Sequence, residues 1–81
     1  MTEESRSSSR DAHFRDEALP HLEEVTRYAL SLTRDEANAD DLVQETFLRA
    51  YRHWEQFVPG STCRAWLFSI CRNTYLRTAR R

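Results

Sequence analysis

Two stretches of this sequence carry side chains suited to recognition or chemistry. The first is Asp40-Asp41-Leu42-Val43-Gln44-Glu45-Thr46-Phe47-Leu48-Arg49, in which Asp41, Gln44, Glu45 and Leu48 recur at three- and four-residue steps and so share one face of a helix. Carboxylates spaced this closely are hard oxygen ligands for a cation. Nothing elsewhere in the sequence completes a coordination shell, so a solvated or protein-docking face is the expected role. The second stretch is Phe57-Val58-Pro59-Gly60-Ser61-Thr62-Cys63-Arg64-Ala65-Trp66, followed by Arg72, Asn73, Arg77 and Arg80. Aromatic rings beside arginines are what a single-stranded nucleic acid needs: stacking is worth about 1–3 kcal/mol per base, and guanidinium groups neutralise phosphates. Phe57 and Trp66 suit a hydrophobic core equally well. The residues by themselves leave open a helical nucleic-acid-binding domain and a helical interaction module.

Enzymatic chemistry has no constellation here. A nucleophile with a base, a metal-ligand set or a phosphate-cradling loop would be expected. The single glycine excludes glycine-rich nucleotide loops, and His13, His21 and His53 are scattered, which favours surface or packing roles over metal ligation. Cys63 and Cys71 stand eight positions apart, a spacing that fits neither a close metal pair nor a dense disulfide framework. They read as packing residues in a reducing cytoplasm. No catalytic residue, metal or cofactor is expected.

The charge is unevenly spread. Every acid except Glu55 lies at or before Glu45, whereas Arg49, Arg52, Arg64, Arg72, Arg77, Arg80 and Arg81 gather toward the end. Such polarity suggests two partners, a polyanion for the arginine-rich end and a basic or polar protein surface for the acidic stretch.

The elements that must position these residues are helices. A chain of 81 residues makes one domain with an economical core, and no apolar run approaches the roughly 20 residues of a membrane span. Residues 1–12 are polar, carry no secretory pattern and read as a disordered tail before a domain over 13–81. Leu19, Leu22, Val25, Ala29 and Leu32 form the stripe of an amphipathic helix over His21–Thr33, with Pro20 tolerated in its first turn. A short helix over Asp11–Leu19 is compatible before it. A second helix is expected over Ala39–Gln56, capped by Asn38. The break at Phe57–Ser61 follows. A last helix, capped by Ser61 or Thr62, runs to about Thr78 and buries Trp66, Leu67, Ile70, Cys71, Thr74 and Tyr75. No period-two alternation appears, so the class is all-α, a compact bundle of three to four helices.

The run from Ala39 to Tyr51, the segment Phe57–Gly60 and the block Arg64-Ala65-Trp66-Leu67-Phe68-Ser69-Ile70-Cys71-Arg72-Asn73-Thr74 together resemble region 2 of the extracytoplasmic-function (ECF) sigma factors. The preceding Tyr28–Arg34 resembles the helix that comes before them in that family. The resemblance covers about Phe14 to Arg81.

This resemblance implies a promoter-melting domain that performs no covalent chemistry. The aspartate-leucine-valine-glutamine-glutamate helix would dock on the β′ clamp helices of core RNA polymerase through Asp41, Gln44, Glu45, Leu48 and Arg49. The loop before the last helix would capture a flipped base of the minus-ten element in the non-template strand, which places Phe57, Ser61 and Asn73 near base recognition and Trp66 beneath the loop. Arg64, Arg72, Arg77, Arg80 and Arg81 would hold phosphates. An anti-sigma protein is a further implied partner. A second helical domain reading the minus-thirty-five element belongs to such factors, and these residues stop before it. A duplex-binding helix-turn-helix repressor is the nearest alternative; it needs a short turn and an exposed recognition helix, which this aromatic-flanked loop does not resemble.

Overall fold

The computed structural model describes the backbone of residues 2–58 and 60–79, with side chains from Ser9 onward in that range. Among the described residues there are four α-helices and two short 3-10 turns: α1 (Thr2–Ala18), a turn at Leu19–His21, α2 (Leu22–Thr33), α3 (Glu36–Arg52), a turn at Trp54–Gln56, and α4 (Cys63–Ala79). No strand occurs among them, as the all-α reading expects. Of the polar stretch expected as a tail over residues 1–12, residues 2–12 are described as helical backbone at the start of α1, and their described contacts with the bundle begin at Arg10. Composition could not reveal this, because those contacts are polar and reach residues some forty positions away.

Helix α2 has the stripe its spacing predicts, with Val25 and Ala29 fully buried and Tyr28 and Leu32 half-buried. Leu19 and Leu22, expected on the same stripe, are 42% and 43% exposed. They lie where the 3-10 turn around Pro20 packs chiefly against α1 and α2 rather than against α3 and α4. The helix stops at Arg34, a non-glycine residue in the left-handed region (φ 56°), whose N–H donates to the Leu30 carbonyl at 2.8 Å.

Helix α3 begins three residues before the expected Ala39. Asp35, not Asn38, is its cap: the Asp35 Oδ1 accepts the Asn38 N–H at 2.9 Å. A carboxylate there satisfies one orphan donor and meets the positive end of the helix dipole. The α-helix ends at Arg52, short of the expected Gln56, and the chain tightens into the 3-10 turn. In that geometry residues three apart eclipse. Trp54 and Phe57 therefore point the same way, stack 4.9 Å apart and are both buried.

Helix α3 is central and packs against both α2 and α4. Small residues allow close approach: Ala29, Ala39, Ala50 and Cys71 are all buried where the three helices meet around Leu42, Val43 and Leu67. Thr46 and Thr74, buried in the same layer, turn their hydroxyls back onto the Leu42 and Ile70 carbonyls at 2.7 Å. Burying a hydroxyl without such a bond would cost about 1–3 kcal/mol. The Thr62 carbonyl accepts the Trp66 N–H at 3.1 Å and so opens α4. That helix buries Cys63, Leu67, Cys71 and Thr74, with Trp66, Ile70 and Tyr75 half-buried beside them. Among the described residues, no helix is long and apolar enough to cross a membrane.

Candidate functional site

Helices α3 and α4 present two separate sets of side chains. Along α3, Asp41, Gln44 and Leu48 are exposed, the last by 44%, while Glu45 and Arg49 are half-buried and paired, Arg49 Nε donating to Glu45 Oε2 at 2.8 Å. This is the face that the three- and four-residue spacing predicts. An exposed leucine between an acid and an amide suits a protein contact better than a metal site.

The break between the helices is a tight turn. The Ser61 N–H donates to the Val58 carbonyl at 3.0 Å, and the Ser61 hydroxyl donates to the same oxygen. Gly60 has φ 95°, a conformation L side chains rarely adopt, although a Cβ there would meet nothing within 4 Å. The requirement for glycine is therefore conformational. Val58 stands 66% exposed at the loop tip. Phe57, expected at base recognition, is only 6% exposed. It lies beneath Trp54, its ring centroid 5.4 Å from that of Trp66, so it supports the loop from below and offers no free face.

Beside this turn, a recess of about 300 Å³ opens between the end of α3 and the middle of α4. Arg49, His53 and Gln56 line one wall; Trp66, Ile70, Asn73, Thr74 and Arg77 line the other. Three residues expected to meet DNA, Trp66, Asn73 and Arg77, thus converge. Arg49, expected on the protein-docking face, joins them. His53 and Gln56 were not singled out by sequence. The four-residue step from Arg49 to His53 and the three-residue step from His53 to Gln56 were the available signal, obscured by the change from α to 3-10 geometry at His53. A larger open cleft of about 770 Å³ adjoins this recess, with Asp41, Glu45, Tyr75 and Thr78 among its lining and Arg49, Thr74 and Arg77 common to both.

The arginines of α4 differ in their commitments. Arg72 and Arg77 are exposed and have no ion-pair partner among the described residues. Arg64 is held by Glu24 of α2 at 2.5 Å and lies 4.5 Å above the Phe68 ring. Its guanidinium keeps the Glu24 carboxyl below the usual carboxylate range, with a lesser contribution from His21. Arg80 and Arg81 lie outside the described residues. Burial pushes the Cys63 and Cys71 thiols up, away from the thiolate form that redox chemistry uses.

Comparisons with known proteins identify the family of this all-helical scaffold. Residues 19–81 match the family described as Sigma-70 region 2. The ECF RNA polymerase sigma factor EcfG of Rhodopseudomonas palustris is 46% identical over 61 residues, 75% of this chain and 34% of that protein. The ECF RNA polymerase sigma factor SigL of Mycobacterium tuberculosis is 54% identical over 56 residues, 65% of this chain and 30% of that protein. For the ECF RNA polymerase sigma factor SigM of Bacillus subtilis the figures are 39% over 61 residues, 75% and 37%. The chain spans about a third of the length of these curated relatives. With the family matched across α2, α3, the turn and α4, the chain belongs to the sigma-70 family as a region 2 domain of the ECF type.

Proposed function

We propose that this domain serves an ECF sigma factor in promoter opening, binding core RNA polymerase through α3 and the separated non-template strand of the minus-ten element through the turn and α4. The observation that carries the reading is the recess beside the turn, where an aromatic wall at Trp66, the amides of Asn73 and Gln56 and the cation of Arg77 converge. Such a set can receive a flipped base, stacking its face, reading its edge and neutralising its phosphate. Extrusion of a base costs a few kcal/mol, which a preformed pocket offsets. Opening is then selective binding of the melted state, with no covalent step and no cofactor.

On this reading Asp41, Gln44, Glu45 and Leu48 face the β′ clamp helices of the polymerase, and Arg49 stands at the border of the two surfaces. Arg72 and Arg77 hold phosphates directly, Arg64 does so once freed from Glu24, and Ser61 shapes the turn. The domain works in the cytoplasm, where transcription takes place, and an anti-sigma protein that covers these surfaces would hold it inactive.

Binding of the purified domain to labelled minus-ten oligonucleotides at low salt, single-stranded and duplex, tests this reading. Preference for the single strand, with affinity falling as salt rises, is expected. Preference for duplex, or binding to neither form, would refute it.

A further inference from the structure

The family match begins at Leu19, so α1 lies outside it. Helix α1 nevertheless grips the bundle close to the recess. Arg10 Nη2 donates to the Tyr51 carbonyl at 2.6 Å and to Glu55 Oε1 at 3.1 Å, with its guanidinium 4.5 Å from the Tyr51 ring centroid. The Tyr51 hydroxyl donates to Asp11 Oδ1 at 2.5 Å. Phe14 meets Tyr51 and Trp54 edge-on, at 5.4 and 5.1 Å. The Trp54 indole Nε1–H donates to His13 Nδ1 at 3.1 Å.

That last bond bears directly on the recess. An indole N–H is a donor only, and Trp54 is 6% exposed, so its orientation depends on the acceptor that His13 supplies. Trp54 stacks on Phe57, from which the turn departs, and meets Trp66 edge-on at 5.7 Å. Trp66 lines the recess. A continuous chain of packed rings therefore runs from α1 to the wall of the candidate strand site.

We propose that Arg10, Asp11, His13 and Phe14 form a clasp that sets the shape of the strand-binding recess, with His13 as a positioning residue acting through the Trp54 indole. The proposal rests on the strand-binding reading above and adds a determinant that lies outside the matched family region. His13 touches no bound strand; it fixes the ring against which Phe57 and Trp66 are packed. The proton of its imidazole sits on Nε2, because Nδ1 must accept. A side chain with an amide oxygen at position 13 can take over that task, and an aliphatic one cannot.

His13→Leu and His13→Gln in the full chain separate these roles. The ¹⁵N-resolved indole resonance of Trp54 and its hydrogen-exchange rate report the clasp, and anisotropy of a labelled single-stranded minus-ten oligonucleotide reports the recess. His13→Leu is expected to shift the indole resonance, hasten its exchange and weaken strand binding about three- to tenfold, the loss of one hydrogen bond. His13→Gln is expected to restore both to within about twofold of the parent. Binding to isolated β′ clamp helices should stay constant across the series, which separates local repositioning from general unfolding. Equal defects in the Leu and Gln variants would overturn the acceptor role. A changed indole signal with unchanged strand affinity would overturn the coupling. Should the parent bind no strand at all, the function reading falls and the coupling with it, while the indole signal still decides whether His13 holds Trp54.

Discussion

Arg64 and Glu24 join α4 to α2 through a 2.5 Å ion pair, with the guanidinium lying 4.5 Å over Phe68, whose ring is stacked on Tyr28 at 4.6 Å. An arginine expected to meet phosphate is thus already engaged by a carboxylate. A DNA phosphate must compete with Glu24 for it. Glu24→Gln should therefore raise single-strand affinity and steepen its salt dependence by about 0.7 log unit per log unit of salt, the increment for one further phosphate on a single strand. Anisotropy titrations from low to moderate salt measure both quantities. An unchanged slope would show that Arg64 remains on Phe68 and is structural.

Acid should loosen this seam and also the Arg10–Glu55 contact that holds α1. Glu24 is held below the usual carboxylate range by the Arg64 hydrogen bond, and Glu55 by its own backbone N–H and then by Arg10. A carboxyl whose folded value is depressed stabilises the fold above its ordinary range, and that contribution is lost as pH falls through the depressed value. Glu55 is exposed and Glu24 only half-buried, so salt screening keeps the effect modest. The melting temperature should fall between neutral pH and pH about 3, a range that spans ordinary carboxyl titration, and fall less in the Glu24→Gln, Glu55→Gln double variant. Parallel pH profiles for the two proteins would contradict the assignment.

The junction between α2 and α3 carries opposing local effects. Asp35 caps α3, so Asp35→Ala should lower stability by about 1 kcal/mol. Arg34 occupies the left-handed region at φ 56°, where a side chain costs about 1–2 kcal/mol. Glycine removes that strain at some cost in unfolded-chain entropy, and Arg34→Gly should raise stability by about 0.5–1 kcal/mol. Urea denaturation distinguishes the two signs.

Cys63 and Cys71 are buried, and burial raises both thiols. Alkylation of the native protein by iodoacetamide at neutral pH should be slow, and it should become fast in denaturant. Rapid labelling of the native state at either cysteine would contradict the packing described for α4.

How far these features could be read from the sequence depended on their range. The stripe of Val25 and Ala29, the exposed face of Asp41, Gln44 and Leu48 and the burial of Leu67 and Cys71 follow from helical periodicity, because each is a repeat within one element. The cap of α3 was misplaced by three residues because Asp35 and Asn38 are both good capping types, and only backbone geometry decides which accepts. Whether Phe57 joins the core or meets a base, both open in the sequence, was not legible: it depends on the 3-10 turn that aligns it with Trp54. Neither was the pairing of Arg64 with Glu24, nor the grip of Arg10, Asp11 and His13 on Tyr51 and Trp54. These join residues about forty positions apart, where local spacing carries no signal. The recess itself became visible only once α3 and α4 brought Arg49 and Asn73 to one place.

The two-surface account is tested most directly by separating the surfaces. Leu48→Asp and Asn73→Ala would each be assayed for binding to the isolated β′ clamp helices and to a single-stranded minus-ten oligonucleotide. Leu48 is exposed on α3 away from the recess, and Asn73 lines the recess on α4. Leu48→Asp should abolish clamp binding and leave the strand untouched, whereas Asn73→Ala should weaken the strand by about tenfold or change the preferred base, as expected for one buried polar contact, and leave the clamp untouched. Loss of both activities in either variant, or of neither in both, would contradict it.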